Sequence, residues 1–461
     1  MYNQLLELCG LEPEEIKKEL PRIERTFQKW GITDKDTARA ESRIKKYFDY
    51  HLRGVRKFLG LWLMEFVDLT LAREEGKTIV YPSYPPFSQI AATIATMSDD
   101  LYACVPECTI MAMMGQIFGN LLPTIEAGEQ TYMPPGQAHC ILLAIRLGAM
   151  LEGKIPIPDL LIPSGTTCDQ SGKTDEIVQE LYGTPVVHLD AGFDCSGQTT
   201  GYADALRVRY VAQELQNLAR EFRSVTGHEI TEKGVEQGTK QYGLLRGMYY
   251  EIQDLLKADP MPLSTKDFGI IGLGVSSCLR RFITDGLSAG KLLVAELKER
   301  IARGEGILPK GVPRVMVYFP HMADPAVTGV VEDLGLAIAV TTRSGVWDKV
   351  PSPYDSIWEK AADQNLRRGS RHSTASMINE LKDIARTYQV DGLILDVLAK
   401  CRVHTFYPLK AKEVIEKELG IPVLVMEHDH YDTRDYSAEH YQSRIEPFAE
   451  ILKARKAAKV K

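Results

Sequence analysis

The chain has 461 residues, 44% apolar and 25% charged, a balance ordinary for a soluble globular protein, and it is too long for one simple core, so two or three domains are expected. With 55 basic against 62 acidic residues the net charge is −7, which argues against a nucleic-acid-binding surface, and no apolar run is long enough to span a bilayer. Met1-Tyr-Asn-Gln-Leu-Leu-Glu has neither a basic n-region nor a long apolar h-region, so a cytoplasmic protein is expected.

Residues from about Leu11 to Arg73 are charged and periodic. Ile23, Phe27 and Trp30, then Phe58, Leu61, Leu63 and Phe66, are spaced for helices. Thr78-Ile-Val-Tyr-Pro-Ser-Tyr-Pro-Pro reads as a strand entering a proline-rich loop, followed by helices carrying Ile90–Met97 and Thr109–Leu121. Asp159-Leu-Leu-Ile-Pro-Ser-Gly-Thr-Thr-Cys168 then predicts a strand with a cysteine just past its end. A polar helix follows, and Gly183-Thr-Pro-Val-Val-His-Leu-Asp190 closes the unit as a second strand ending in an acid. Ala205 to about Arg303 is strongly helical. Arg314-Val-Met-Val-Tyr-Phe-Pro320 opens a second sheet, which Leu334–Val340 extends. Asp391-Gly-Leu-Ile-Leu-Asp-Val-Leu-Ala-Lys-Cys401, a helix, and Gly420-Ile-Pro-Val-Leu-Val-Met-Glu427 then repeat the earlier strand, cysteine, helix and strand.

Each repeat is a βαβ unit, and parallel strands of this kind bind ligands beyond their carboxyl ends. The expected fold is α/β, with two Rossmann-like lobes, an N-terminal helical cap and helical insertions. Residues 1–75 form the cap and 76–204 a first lobe with Cys140 and Cys168; 205–310 form a helical connection and 311–461 a second lobe with Cys401. No low-complexity linker separates the lobes, so they are expected to pack closely.

Eight cysteines (Cys9, Cys104, Cys108, Cys140, Cys168, Cys195, Cys278, Cys401) are spread along the chain. In a reducing compartment the choice lies between buried thiols and metal ligands. Cys140 sits in Gln137-Ala-His-Cys140-Ile-Leu-Leu-Ala after the loop Met133-Pro-Pro-Gly, near the start of a helix, where a thiol's pKa is lowered. Cys168 and Cys401 stand at strand ends. Three converging thiolates would suit an iron–sulfur cubane with one iron open to water or substrate. The spacing alone leaves this undecided: there is no C-x-x-C, and Cys104-Val-Pro-Glu-Cys108 is the one close pair.

The segments around these cysteines resemble the 2-hydroxyacyl-CoA dehydratase and benzoyl-CoA reductase family, in its larger-subunit form. The resemblance rests on Pro158-Asp159, Thr166-Thr-Cys168-Asp, Asp391-Gly…Cys401, Glu427-His-Asp429…Asp432-Thr-Arg434 and Arg444-Ile-Glu-Pro-Phe. Gly243-Leu-Leu-Arg-Gly and Glu296-Leu-Lys-Glu-Arg-Ile-Ala-Arg-Gly-Glu-Gly add to it, and it covers nearly all of residues 75–455. It implies that Cys140, Cys168 and Cys401 hold a [4Fe-4S] cluster whose open iron binds the thioester carbonyl of an acyl-CoA. It also implies a related iron–sulfur subunit as heterodimer partner, and a separate ATP-hydrolysing activator that injects one low-potential electron. In the dehydratases that electron forms a ketyl radical, so that the hydroxyl can leave although the β-proton is weakly acidic; in the reductases it enters an aromatic ring. Ser83 is the candidate for holding water on the open iron, and His139 for acting on a proton nearby. Cys104, Cys108 and Cys195 fall outside the implied ligand set. They read as buried thiols, or else as ligands of a further cluster, as in the double-cubane homodimeric reductases. The expected function is that of a [4Fe-4S] subunit of an ATP-activated radical 2-hydroxyacyl-CoA dehydratase, with an aromatic acyl-CoA reductase subunit as the nearest alternative and a non-catalytic electron-transfer subunit as a third.

Other signals are weaker. Ser171-Gly-Lys173-Thr174 imitates the end of a phosphate loop, but Thr167 stands where its first glycine is needed. Gly269-Ile-Ile-Gly-Leu-Gly274 lacks the dinucleotide order and reads as a tight turn or a close helix contact. Arg367-Arg368-Gly-Ser-Arg371-His372 is either a solvated face or a clamp for CoA phosphates. Glu427-His428-Asp429-His430 reads as loop residues, its acids available to orient an arginine such as Arg434.

Overall fold

A computed structural model describes residues 3–132, 139–163, 165, 168–192, 204–318, 324–341, 351–367, 373–398, 400–401, 405, 407–428, 432, 434–435 and 437–460. Four helices come first: α1 (Asn3–Leu8), α2 (Pro13–Trp30), α3 (Asp34–Tyr47) and α4 (Arg53–Leu71). Glu12 and Glu15 form a reciprocal capping box at the start of α2, and Gly31 ends it in the left-handed region (φ 65°). Ile23, Phe27 and Trp30 form its buried stripe, whereas α4 is buried over almost its whole circumference.

The first lobe runs β1 (Thr78–Pro82), α5 (Ser88–Thr96), β2 (Leu101–Ala103) and α6 (Pro106–Ile110). A π-helical segment (Met111–Ile117), α7 (Leu122–Thr131), α8 (Ile141–Leu151), β3 (Leu160–Ile162) and α9 (Asp169–Tyr182) complete it. Its strands form a parallel sheet in the order β2-β1-β3. The connection is wholly helical: α10 (Ala205–Thr226), α11 (Glu232–Leu255), α12 (Thr265–Ser277) and α13 (Arg280–Ala302). The second lobe has β4 (Arg314–Tyr318), α14 (Pro325–Asp333), β5 (Ala337–Val340), α15 (Ile357–Leu366), α16 (Thr374–Thr387), β6 (Gly392–Leu398), α17 (Pro408–Leu419), β7 (Val423–His428) and α18 (Ala438–Val460). Its parallel sheet has the order β5-β4-β6-β7. The expected α/β class with two parallel sheets and helical additions is the one observed, and no helix among the described residues is long and apolar enough to cross a membrane.

The repeat legible in the sequence has a structural counterpart at its first residue. Asp159 donates its backbone N–H to the Ile79 carbonyl, and its carboxylate accepts from the Ile79 N–H at 2.8 Å. Asp391 does the same at Arg314, with its carboxylate 3.0 Å from that N–H. Each acid closes the amino end of the neighbouring central strand. The closing strands differ. In the second lobe β7 pairs with β6 over six residues, from Leu393 with Val423 to Leu398 with His428. In the first, the expected strand around Val186 is reduced to isolated bridge positions at Val186, paired in parallel with Leu161, and at Leu189. Leu161 N–H donates to Pro185 and Leu189 N–H to Pro163, but Pro163 has no N–H to return, so the ladder is broken at that residue.

One continuous core joins the N-terminal helices, the first lobe and the connecting helices, with Trp62, Phe58, Phe282 and Phe268 among its largest buried side chains. The second sheet is instead sandwiched: Met316, Tyr318, Leu393 and Leu395 face α16 and α17, while Val315, Val317 and Ile394 face α14 and α18. This two-residue alternation with both faces apolar is the signature of a parallel sheet covered on both sides.

Candidate functional site

Both parallel sheets present their carboxyl ends to the same region. Cys168 follows β3 and is the N-cap of α9; Cys140 is the N-cap of α8. Both have extended backbone and neither side chain caps its helix, so the two sulfurs stand at helix amino ends where the dipole favours a thiolate. Cys401 follows β6, and all three cysteines are half-buried.

A glutamine that no sequence motif marks links the three segments. Gln170, buried in the first turn of α9 two residues after Cys168, accepts the backbone N–H of Cys140 at 2.6 Å. Its amide nitrogen donates to the Lys400 carbonyl, next to Cys401, at 3.2 Å. One side chain thus spans the starts of two helices of the first lobe and a strand end of the second. Among the described residues no three His, Cys, Asp or Glu side chains lie close enough to hold a single metal ion. A four-iron cube asks for something else, one thiolate at each of three separate corners. Half-buried soft donors from three segments, two of them at helix amino ends, fit that group.

Behind the helix starts lies a fully buried polar cluster. Arg146, on α8, and Asp175, on α9, form an ion pair with no exposed side-chain surface on either partner. The Ser83 hydroxyl, just past β1, donates to Asp175 and accepts from Arg146 Nη1 at 3.2 Å. Burial disfavours the charge on Arg146, but the neighbouring Asp175 and Glu107 carboxylates outweigh it and keep the guanidinium protonated. Burial pushes the Glu107 carboxyl up. Its Oε1 accepts from the Tyr84 N–H at 3.3 Å, while its Oε2 has no hydrogen-bond partner among the described residues. Ser83, the candidate water holder, is therefore placed inside the packing, with its hydroxyl shared between Asp175 and Arg146.

His139 precedes Cys140. It is half-buried, and its Nε2 has no hydrogen-bond partner among the described residues. Burial, then the nearby Lys400 ammonium, lower its pKa, and Glu129 works in the opposite direction. Glu129, on α7, is almost fully buried and accepts from Arg434 Nη1 and Nη2, each at 2.8 Å. Arg434 also binds Asp432, at 2.8 Å through Nε and 2.6 Å through Nη2. Lys400 lies 3.3 Å from Asp435 and 3.9 Å from Asp432. Arg434 is thus oriented by acids, but by Glu129 and Asp432; of the Glu427–His430 run, residues 429 and 430 lie outside the described residues, and Glu427 is exposed. The approach of α7 to α8 that brings Glu129 here depends on two glycines: a Cβ at Gly148 would stand 1.9 Å from the Thr124 carbonyl oxygen, and one at Gly128 2.2 Å from that of Ala144.

The remaining signals resolve simply. Cys104 and Cys108 are buried, and burial raises the Cys104 thiol well above its usual range; Cys195 lies outside the described residues. Ser171–Thr174 is interior to α9, with the Thr174 hydroxyl bound to the Gln170 carbonyl, so it is no phosphate loop. Gly269–Gly274 is helical within α12: the close-contact reading holds, because a Cβ at Gly274 would stand 2.1 Å from the Phe282 ring. Arg367 is neither solvated nor available as a clamp, being buried against Asp363 at 2.5 Å; residues 368–372 lie outside the described residues. Arg146 was findable, since a lone arginine in the apolar helix Ile141–Leu151 requires a buried partner. Gln170 and Glu129 carried no such signal.

Residues 102–452 match the family described as 2-hydroxyglutaryl-CoA dehydratase, D-component. The chain is 21% identical to the (R)-phenyllactyl-CoA dehydratase alpha subunit of Clostridium sporogenes, over 70% of this chain and 78% of that one. It is 23% identical to a benzoyl-CoA reductase subunit of Thauera aromatica over 84% and 92%, and 19% identical to the (R)-2-hydroxyglutaryl-CoA dehydratase alpha subunit of Acidaminococcus fermentans over 67% and 63%. With a match spanning most of its length, two parallel sheets and cysteines at their carboxyl ends, this chain belongs to the 2-hydroxyglutaryl-CoA dehydratase D-component family.

Proposed function

We propose that this chain holds a [4Fe-4S] cluster on Cys140, Cys168 and Cys401 and serves as a catalytic subunit of a radical 2-hydroxyacyl-CoA dehydratase. The observation that carries the reading is the Gln170 amide, which ties the Cys140 backbone and the residue before Cys401 to the helix that Cys168 starts. When bound, such a cluster supplies one electron and an iron with an open coordination position. The chain's own residues do the rest. The starts of α8 and α9 favour thiolate at Cys140 and Cys168. The Arg146–Asp175–Ser83 cluster fixes those helices behind the sulfurs, and Ser83 acts through that anchor. His139 Nε2 is the proposed proton carrier beside the thioester. A related iron–sulfur subunit and a separate ATP-hydrolysing activator are the proposed partners, in keeping with relatives named as alpha subunits.

A ring-reducing aromatic acyl-CoA reductase is the second reading. It is favoured by the match to the Thauera aromatica benzoyl-CoA reductase chain, which spans 92% of that protein. Both readings are tested by anaerobic incubation of the iron-loaded protein, with its partner and activator, with a 2-hydroxyacyl-CoA and with benzoyl-CoA. Loss of water to an enoyl-CoA supports the dehydratase. Gain of two hydrogens to a cyclic dienoyl-CoA supports the reductase. Unchanged thioesters with an EPR signal indifferent to acyl-CoA would overturn both in favour of an electron-transfer subunit.

A further inference from the structure

The three cysteines come from segments far apart in sequence, and two of those segments belong to one lobe while the third belongs to the other. Something must fix the distance between them before any group binds. Strand pairing does not do so: the strands bearing Cys168 and Cys401 lie in different sheets. The geometry points to Gln170 as the positioning residue for the three thiols. Its carbonyl oxygen holds the Cys140 N–H at 2.6 Å, its amide nitrogen holds the Lys400 carbonyl at 3.2 Å, and its own backbone follows Cys168 by two residues in a rigid helical turn. The side chain is buried and both bonds are partly shielded from water, which strengthens them. Glutamine suits the position because it presents an acceptor and a donor on one planar group. Glutamate keeps the acceptor for Cys140 but sets a carboxylate against the Lys400 carbonyl. Methionine keeps the length and loses both bonds.

This inference rests on the cluster reading above for its purpose, but not for its test. In the metal-free full-length chain, a short bifunctional thiol reagent should bridge Cys140 to Cys401, scored by mass spectrometry of the linked peptides. In Gln170→Met that yield should fall severalfold, with Gln170→Glu in between, while the thermal unfolding midpoint of the metal-free chain stays near the parent value. In the iron-loaded proteins, iron loss to a chelator should run about tenfold faster in Gln170→Met, equivalent to about 1.4 kcal/mol. The EPR signal of the reduced protein should change shape, because ligand geometry and hydrogen bonding tune such clusters. Should Gln170→Met lower the unfolding midpoint sharply, Gln170→Glu, which retains one bond, carries the comparison. Parental bridging and parental iron retention in both variants would overturn the assignment. If the parent chain takes up no iron while bridging still depends on Gln170, the cluster reading fails and the positioning role stands.

Discussion

The two lobes hold their cysteines by different means. In the first, Cys140 and Cys168 start helices that are pinned from behind by Arg146, Asp175 and Ser83, all fully buried in a core shared with the N-terminal and connecting helices. In the second, Cys401 leaves a sheet packed on both faces by apolar residues, and the cations beside it reach the surface: Lys400 next to the exposed Asp435, and Arg434, a third exposed, on the buried acids Asp432 and Glu129. The first half of the site is prebuilt by the core. The second is held to it near the cysteines by Gln170–Lys400 and Glu129–Arg434, and farther off by α15, which packs into the shared core and whose Asn365 donates to Gln89 of α5. A site assembled this way can keep Cys140 and Cys168 fixed while Cys401 follows the relative placement of the lobes.

The largest effect is expected at the three cysteines. Replacing Cys140, Cys168 or Cys401 by Ala should release iron and abolish turnover, whereas Cys104→Ala, in the buried core, should leave iron content at the parent level; colorimetric iron assay and thioester analysis decide it. The anchor comes next. Arg146→Met strands the Asp175 charge in the core, and breaking a buried pair from one side costs about 3–5 kcal/mol, readable in denaturant unfolding. Gly148→Ala should cost about 3 kcal/mol, at the upper end for overpacking, since the obstacle at 1.9 Å is backbone and cannot rotate away. It should also displace Glu129 and so loosen the second lobe. Arg434→Ala leaves Glu129 buried and unpaired, but Arg434 is itself a third exposed, so about 1–2 kcal/mol is expected. Iron loss in that variant should accelerate more than global unfolding does, which would sharpen the contrast between the lobes.

A smaller effect separates the shared core from the second sheet by pH. Asp267, on α12, is buried with its carboxyl pushed up to about 8, chiefly by burial, and Glu65, on α4, likewise to about 7. A carboxyl whose folded pKa lies above its unfolded value stabilises below the unfolded pKa, and that stability is lost as pH rises through the folded value. Stability should therefore decline between about pH 4 and pH 8. Asp267→Asn should flatten part of that slope in pH-dependent urea titrations.

Much of this was legible in the sequence. The positions of Cys168 and Cys401 past strand ends, the acids Asp159 and Asp391 that open the repeats, and the helical run from Ala205 follow from periodicity and residue placement, whereas the grouping of Cys140 with the other two came from the family resemblance. The first repeat's closing strand is shorter than its residues suggest, because strand-like residues around Val186 do not reveal that Pro163, just past β3, interrupts the ladder. The arginine run at Arg367 is misleading because charge alone does not say that Asp363, one helical turn earlier, buries it. Gln170, Glu129 and Asp175 were invisible for a more basic reason. Each acts through a partner 29 to 305 residues away, and polar residues on polar helices carry no periodic signal.

The central claim is that these three thiols hold one open cluster, and anaerobic purification followed by iron and sulfide analysis with EPR tests it most directly. About four irons per chain are expected, with a reduced-state signal that shifts when an acyl-CoA is added. A chain that takes up no iron after anaerobic reconstitution would contradict it and return Cys140, Cys168 and Cys401 to the status of core thiols.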